Sequence, residues 1–266
     1  MNKFCKGMLA GTALLIAPFT QAAVIEWAYT VTTEWTSATF TNGGASANAT
    51  ENNTLISWGS ASGDHTMLGQ RAADSRSALE ITNSTATGNV FTNDLTPEAT
   101  NTITHFNNTL ASSFDTLTDA NLRTTLNLTP VNPVGPALPA LMTDFTIDFI
   151  ETNNFLACTF PSSSFCDDIF ILQVGALTSS FNYEGVNYFV NIVELTGNLR
   201  LLPDRTCATA GVANGCFGFT TRENAFTPAN FGFVITAAIP EPATLGVFGL
   251  GLLGLSIFGR RRQIKK

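Results

Sequence analysis

The chain has 266 residues and carries thirteen Lys and Arg against twenty Asp and Glu, for a net charge of −7. Seven of the thirteen cations lie at the two ends, so between residues 24 and 239 six arginines face nineteen acids and the body stands at −13. A surface of that sign repels phosphate backbones and excludes nucleic acid as a partner, whereas it suits solubility or divalent cations.

Residues 1–23 read as a signal peptide that forms a short helix. Lys3 and Lys6 precede an apolar run from Met8 to Phe19, and Thr20-Gln21-Ala22-Ala23 supplies the small residues of a cleavage point. The body, 24–239, is rich in Thr, Asn, Ser, Gly and Phe, a composition that favours pleated surfaces and turns. In Val24–Phe40, Ile25, Trp27, Tyr29 and Val31 alternate with polar or small residues, which predicts a strand with one buried face. Asn42–Asn53 reads as a loop, and short strands follow at Leu55–Trp58, Ser77–Ile81 and Asn89–Thr92. Thr104-His105-Phe106-Asn107 stands inside Asn101–Leu110, and Leu122–Leu128 alternates as a further strand.

Prolines at 130, 133, 136 and 139 make 129–140 either an extended connector or an internal domain boundary. Beyond it, Phe145, Ile147 and Phe149 alternate with Asp144, Thr146 and Asp148, and Asp168–Val174 is apolar and β-branched. Leu177–Tyr183 and Val186–Leu195 flank Glu184-Gly185 as a hairpin, and Cys216–Thr220 and Asn230–Thr236 complete the set. Ten to twelve short strands without a helical period outside the ends predict an all-β fold, an antiparallel, jelly-roll-like sandwich.

Residues 240–266 form the tail. Pro240-Glu241-Pro242 precedes sixteen uncharged residues, Ala243–Phe258, and then the cluster Arg260, Arg261, Arg262, Lys265, Lys266. A helix over 243–259 is a short transmembrane span whose basic end stays in the cytoplasm. These three parts in this order resemble the PEP-CTERM sorting signal. The resemblance implies an exosortase as partner, a membrane-bound cysteine-protease-like enzyme that holds the tail in the inner membrane and cuts near the motif. It further implies a Gram-negative source that makes extracellular polysaccharide and biofilm, and a destination in the periplasm, outer surface or matrix.

Four cysteines fall in the body, and export makes disulfides the default. Three pairings exist. The local one, Cys158–Cys166 with Cys207–Cys216, closes two short loops. A zinc site is the weaker reading, because the spacings are wide and no histidine is near.

Thr104, His105 and Asn107, then Cys158, Cys166-Asp167-Asp168 and Cys216-Phe217-Gly218-Phe219, resemble the THxN family of PEP-CTERM proteins. That family carries no established activity, so the resemblance implies a group and no mechanism. The motif reads first as structural, with the His105 ring and Asn107 amide satisfying buried backbone groups in a tight crossover, and second as a metal-ligand or ligand contact, although one histidine cannot make a zinc site.

No nucleophile elbow, HExxH or phosphate loop occurs, and no catalytic residue is assigned. The expectation is therefore a non-enzymatic structural or polysaccharide-binding protein of the envelope or matrix, needing no cofactor. A secreted carbohydrate-active enzyme is the alternative, using Asp148 with Glu151 or Asp167 with Asp168. A calcium-dependent binding module is another, with Asp144, Asp148, Asp167 and Asp168 as weak ligands. The sorting reading has a direct outcome: replacing Pro240, Glu241 and Pro242 by alanine leaves the tail attached and the protein in the inner membrane, read by fractionation and intact mass. Normal processing of that variant would remove the reading.

Overall fold

The computed structural model describes residues 23–41, 50–153, 158–173 and 177–238. The signal segment up to Ala22, the motif Pro240-Glu241-Pro242, the expected membrane helix and the basic cluster lie outside the described residues. Among the described residues no helix is long and apolar enough to cross a membrane. Ala23–Ala238 cluster as one compact unit.

Fourteen strands and one short helix occur among the described residues. In chain order they are β1 (Glu26–Phe40), β2 (Thr50–Asn52), β3 (Leu55–Gly59), β4 (Arg76–Thr82), β5 (Thr85–Phe91), β6 (Glu98–Asn107), β7 (Leu117–Asn132) and β8 (Leu141–Ile150). Then come β9 (Asp168–Gln173), β10 (Thr178–Tyr183), β11 (Val186–Glu194), β12 (Arg200–Leu201), α1 (Asp204–Thr209), β13 (Phe217–Thr221) and β14 (Ala225–Ala237). They pair into two seven-stranded sheets, β12-β13-β9-β8-β7-β1-β5 and β10-β11-β14-β6-β4-β3-β2. Neighbouring strands run antiparallel in both, so the expected antiparallel β-sandwich is the fold.

Alternation explains the sandwich. On β1, Trp27, Tyr29, Val31 and Trp35 are buried, and on β8 so are Phe145, Ile147 and Phe149. Period-2 placement sends one side chain in two into the space between the sheets, where Trp35 and the β8 residues meet Ile56, Trp58, Leu79 and Ile103 of the second sheet, and Trp27, Tyr29 and Val31 meet Tyr188, Val190, Phe233 and Ile235. Ile25 departs from the expected pattern and is 47 % exposed, because a register shift between Glu26 and Trp27 breaks the alternation at the strand's start.

Strands are more numerous than expected, and three are long: β1, β7 and β14 have 15, 16 and 13 residues. Both β7 and β14 run through a proline. Pro130 lies past the last β7–β8 pair, Leu126 with Leu141, and Pro228 precedes the first β14–β11 pair, Phe231 with Glu194. Each proline thus sits where its strand lacks one neighbour and no ladder bond is lost. The stretch 129–140 leads β7 back into β8, its neighbour in the same sheet, and divides no compact units. The hairpin β10–β11 turns at Glu184 and Gly185, with φ of 51° and 83°, the left-handed pair that a two-residue turn demands.

Chain entry and exit share a corner. Asn93 N donates to Ile235 O (2.8 Å), Asn93 Nδ2 to Ala237 O (3.2 Å), and Ala237 N to Asn93 Oδ1 (2.9 Å). Beside them Val24 N donates to the Tyr188 hydroxyl (2.7 Å), and Thr92 Oγ1 donates to Val24 O (2.7 Å).

Cys158–Cys166 and Cys207–Cys216 are both disulfides, with Cα atoms 5.1 and 5.7 Å apart. They flank a small satellite core with Phe160, Ile169, Ile171 and Leu202. The Cys-Phe-Gly-Phe segment is structural: Phe219 stacks on Phe170 at 4.4 Å, and Gly218 lets β13 approach β9 so closely that a Cβ would overlap the Phe170 carbonyl oxygen. Gly218→Ala should therefore lower stability by about 1–3 kcal/mol in chemical denaturation, and an unchanged midpoint would contradict this packing.

A buried carboxylate cluster between the sheets

Three acids from distant segments converge at one end of the sandwich. Glu151 follows β8, Asp168 opens β9, and Glu223 lies between β13 and β14. The register pairs Asp168 with Thr221 and Ile150 with Ile169, which brings the three chain segments side by side in the first sheet. One carboxylate oxygen from each acid lies within 4.8 Å of the others. Across from them the second sheet contributes Trp58 from β3 and His105 and Asn107 from β6.

Strand parity places the Thr-His-x-Asn motif. His105 and Asn107 point inward and are fully buried, while Thr104 and Phe106 lie on the opposite, half-buried face. The motif therefore occupies a central strand instead of the expected crossover. Asn107 behaves partly as expected, with Nδ2 donating to the Thr221 backbone oxygen (2.9 Å). His105 does not satisfy backbone groups. Its ring stacks on Trp58 (centroids 6.0 Å, 13°) and meets Phe149 edge-on at 4.9 Å, and its Nε2 faces Asp168 Oδ2 at 4.0 Å.

Each acid has some donors. Trp58 Nε1 donates to Glu151 Oε2 (2.8 Å), Thr152 N and Oγ1 donate to Asp168 Oδ1 (2.8 and 3.1 Å), and Thr109 Oγ1 donates to Glu223 Oε2 (2.7 Å). What remains is unmet unless Glu151 and Asp168 share a proton, which would bond them to each other. Glu151 Oε1, Asp168 Oδ2, Glu223 Oε1, Asn107 Oδ1 and both His105 nitrogens are sealed from solvent without a hydrogen-bond partner among the described residues. Burial pushes the Glu151 carboxyl up to about 8 against the pull of Trp58, with Glu223 adding to the rise. Asp168 is raised well above the usual range by burial and then by Glu151 and Glu223. Burial lowers His105 to about 3, so its ring is neutral.

The acids singled out in the sequence divide differently. Asp144 holds Arg123 in a bidentate surface pair (2.8 and 3.2 Å). Asp148 accepts from Gln173 Nε2 on the outer side of the first sheet, away from Glu151. Asp167 organises the Cys158–Cys166 loop: its oxygens accept from Ser163 N and Oγ (2.9 and 2.8 Å), Ser164 N (2.9 Å) and the Ser164 hydroxyl. Burial works to raise Asp167, yet these donors prevail and hold it down at about 2. Adjacent Asp168 points inward to the cluster. Neither expected pair, Asp148 with Glu151 or Asp167 with Asp168, faces a common cleft, and of the four expected calcium ligands only Asp168 reaches the cluster. Glu223, and the meeting of Glu151 with Asp168, were missed because no local spacing links residues from three separate segments.

The molecule is thus a disulfide-bonded antiparallel sandwich with an acidic cluster sealed between its sheets. The PEP-CTERM protein-sorting motif matches residues 238–263. The chain therefore carries the sorting signal of an exported protein processed by an exosortase at the membrane, and two disulfides fit an extracytoplasmic body. A search of the curated proteins finds no match.

The cluster sets a pH dependence with opposing parts. His105 has a depressed folded value, so the unfolded chain holds its proton between about 3 and 6.5, and this contribution to stability rises with pH over that range. Glu151 has a raised folded value, so its stabilising contribution is complete below 4.5 and is lost as pH climbs through about 8. Above 6.5 the His105 rise is over, and the two raised acids, Glu151 and Asp168, both act to lower stability with rising pH. Chelator-treated protein should therefore show a falling melting temperature from pH 6.5 to 8 by circular dichroism, and a rise over that window would contradict the assignment.

Proposed function

We propose that the protein is a non-enzymatic, polysaccharide-binding component of the extracellular matrix or outer surface of a Gram-negative bacterium, in the THxN group of exosortase substrates. The observation that carries this reading is an aromatic pair on the outer face of the second sheet. Phe226 is 57 % exposed and pairs in register with half-buried Phe106, ring centroids 5.9 Å apart. His65 meets Phe106 edge-on at 5.1 Å, and Thr104 with the hydrogen-bonded Thr102 and Asn230 (2.9 Å) line the same strands. Aromatic faces beside hydroxyl and amide groups suit sugar rings, whose C–H faces stack while their hydroxyls find partners. The three tryptophans are buried and take no part in such a surface.

The expected alternative, a glycoside hydrolase, requires two carboxylates on an open cleft with room for substrate and water. The acids that converge here are closed in between the sheets, which favours the non-enzymatic reading.

Phe226→Ala should weaken retention on the host's matrix polysaccharide about fivefold, a loss on the order of 1 kcal/mol, with an unchanged melting temperature. Retention equal to the unaltered protein in co-sedimentation would refute this surface. Release of reducing ends from the same polysaccharide would favour the enzyme.

A further inference from the structure

We infer that Glu151, Asp168 and Glu223 bind a divalent cation, calcium by preference, which pins the ends of β8 and β9 to the β13–β14 connection at this end of the sandwich. Asp168 is fully buried beside two half-buried acids of the same sign, an arrangement that calls for a proton or a cation as counter-charge. Several observations favour the cation. The unpartnered oxygens Glu151 Oε1, Asp168 Oδ2 and Glu223 Oε1 belong to the three acids whose ligand atoms cluster within 4.8 Å. Three oxygens within 4.8 Å of one another can all reach one calcium ion at bond lengths of ~2.3–2.6 Å.

A second, independent feature points into the same place. His105 is fully buried, has no partner for either nitrogen, and turns Nε2 toward Asp168. A neutral imidazole left unsatisfied in the interior is costly, and it is not what a proton-sharing carboxyl pair alone would require. The other oxygens of the acids are already fixed by Trp58, Thr152 and Thr109, so the free ones are oriented before any ion arrives. Oxygen-rich donors of charge −3 select a hard cation over zinc.

The test uses the full chain, stripped with chelator and returned to pH 8. Calcium chloride should bind with a stoichiometry near one by titration calorimetry and raise the melting temperature in a saturable way, with zinc chloride weaker. Terbium, bound in place of calcium, should show luminescence sensitised by Trp58. Glu223→Gln, at the half-buried edge of the cluster, should reduce calcium affinity at least tenfold while the far-ultraviolet spectrum is kept. Asp144→Asn should leave binding unchanged. Folded, stripped protein that binds neither calcium nor terbium at pH 8 overturns the inference and assigns the cluster to protons. Tighter binding of zinc than of calcium, or equal binding by Glu223→Gln, overturns it also. None of these readouts depends on polysaccharide.

Discussion

The dominant constraint on this molecule is the cost of keeping Glu151, Asp168 and Glu223 together out of water. An isolated ionised carboxylate in the interior is among the most unfavourable groups a fold can contain, and three of one sign compound the penalty. The surroundings answer that penalty in pieces. An indole N–H and the backbone and hydroxyl of Thr152 meet one oxygen each on Glu151 and Asp168, and a threonine hydroxyl meets Glu223. What those donors leave over is a set of unpartnered carboxylate oxygens at the seam between the sheets.

The neighbouring architecture reads as support for that seam. The Cys158–Cys166 disulfide and the serine-rich loop around Asp167 fix the chain immediately before Asp168, so the two adjacent aspartates take opposite roles. Asp167 is surrounded by donors and stays ionised, whereas Asp168 is surrounded by like charge and resists ionisation. On the far side, Phe149 and Trp58 hold the His105 ring from two directions. Rigid aromatic walls and covalent loop closures are what a site needs when its members would otherwise repel one another.

Much of this was legible in the residues. Alternation on β1 and β8 identifies the buried face because a strand repeats every second residue. The motif reads as a crossover, and only its place on β6 separates inward His105 and Asn107 from outward Phe106. Strand length was harder, since Pro130 reads as part of a connector, whereas it and Pro228 are accommodated where a neighbouring strand is missing. Helix α1 is only six residues, too short to show a period. The cluster itself was hidden, because Glu151, Asp168 and Glu223 sit at strand ends whose proximity follows from sheet order rather than from spacing along the chain. Among nineteen body acids, composition cannot pick out three that meet.

The corner held by Asn93 has a bearing on processing. The strand β14 ends at Ala237, and the matched sorting motif starts at 238, so the address follows the last ladder residue without a spacer in sequence. Trimming beyond Ala238 removes no rung of either sheet and leaves Ala237 clasped by Asn93. The acidic seam lies toward the opposite tip, near Ala225, twelve residues and roughly 40 Å of extended chain away. Along the chain, processing within the matched motif therefore lies past the end of β14 that is farther from the acidic cluster.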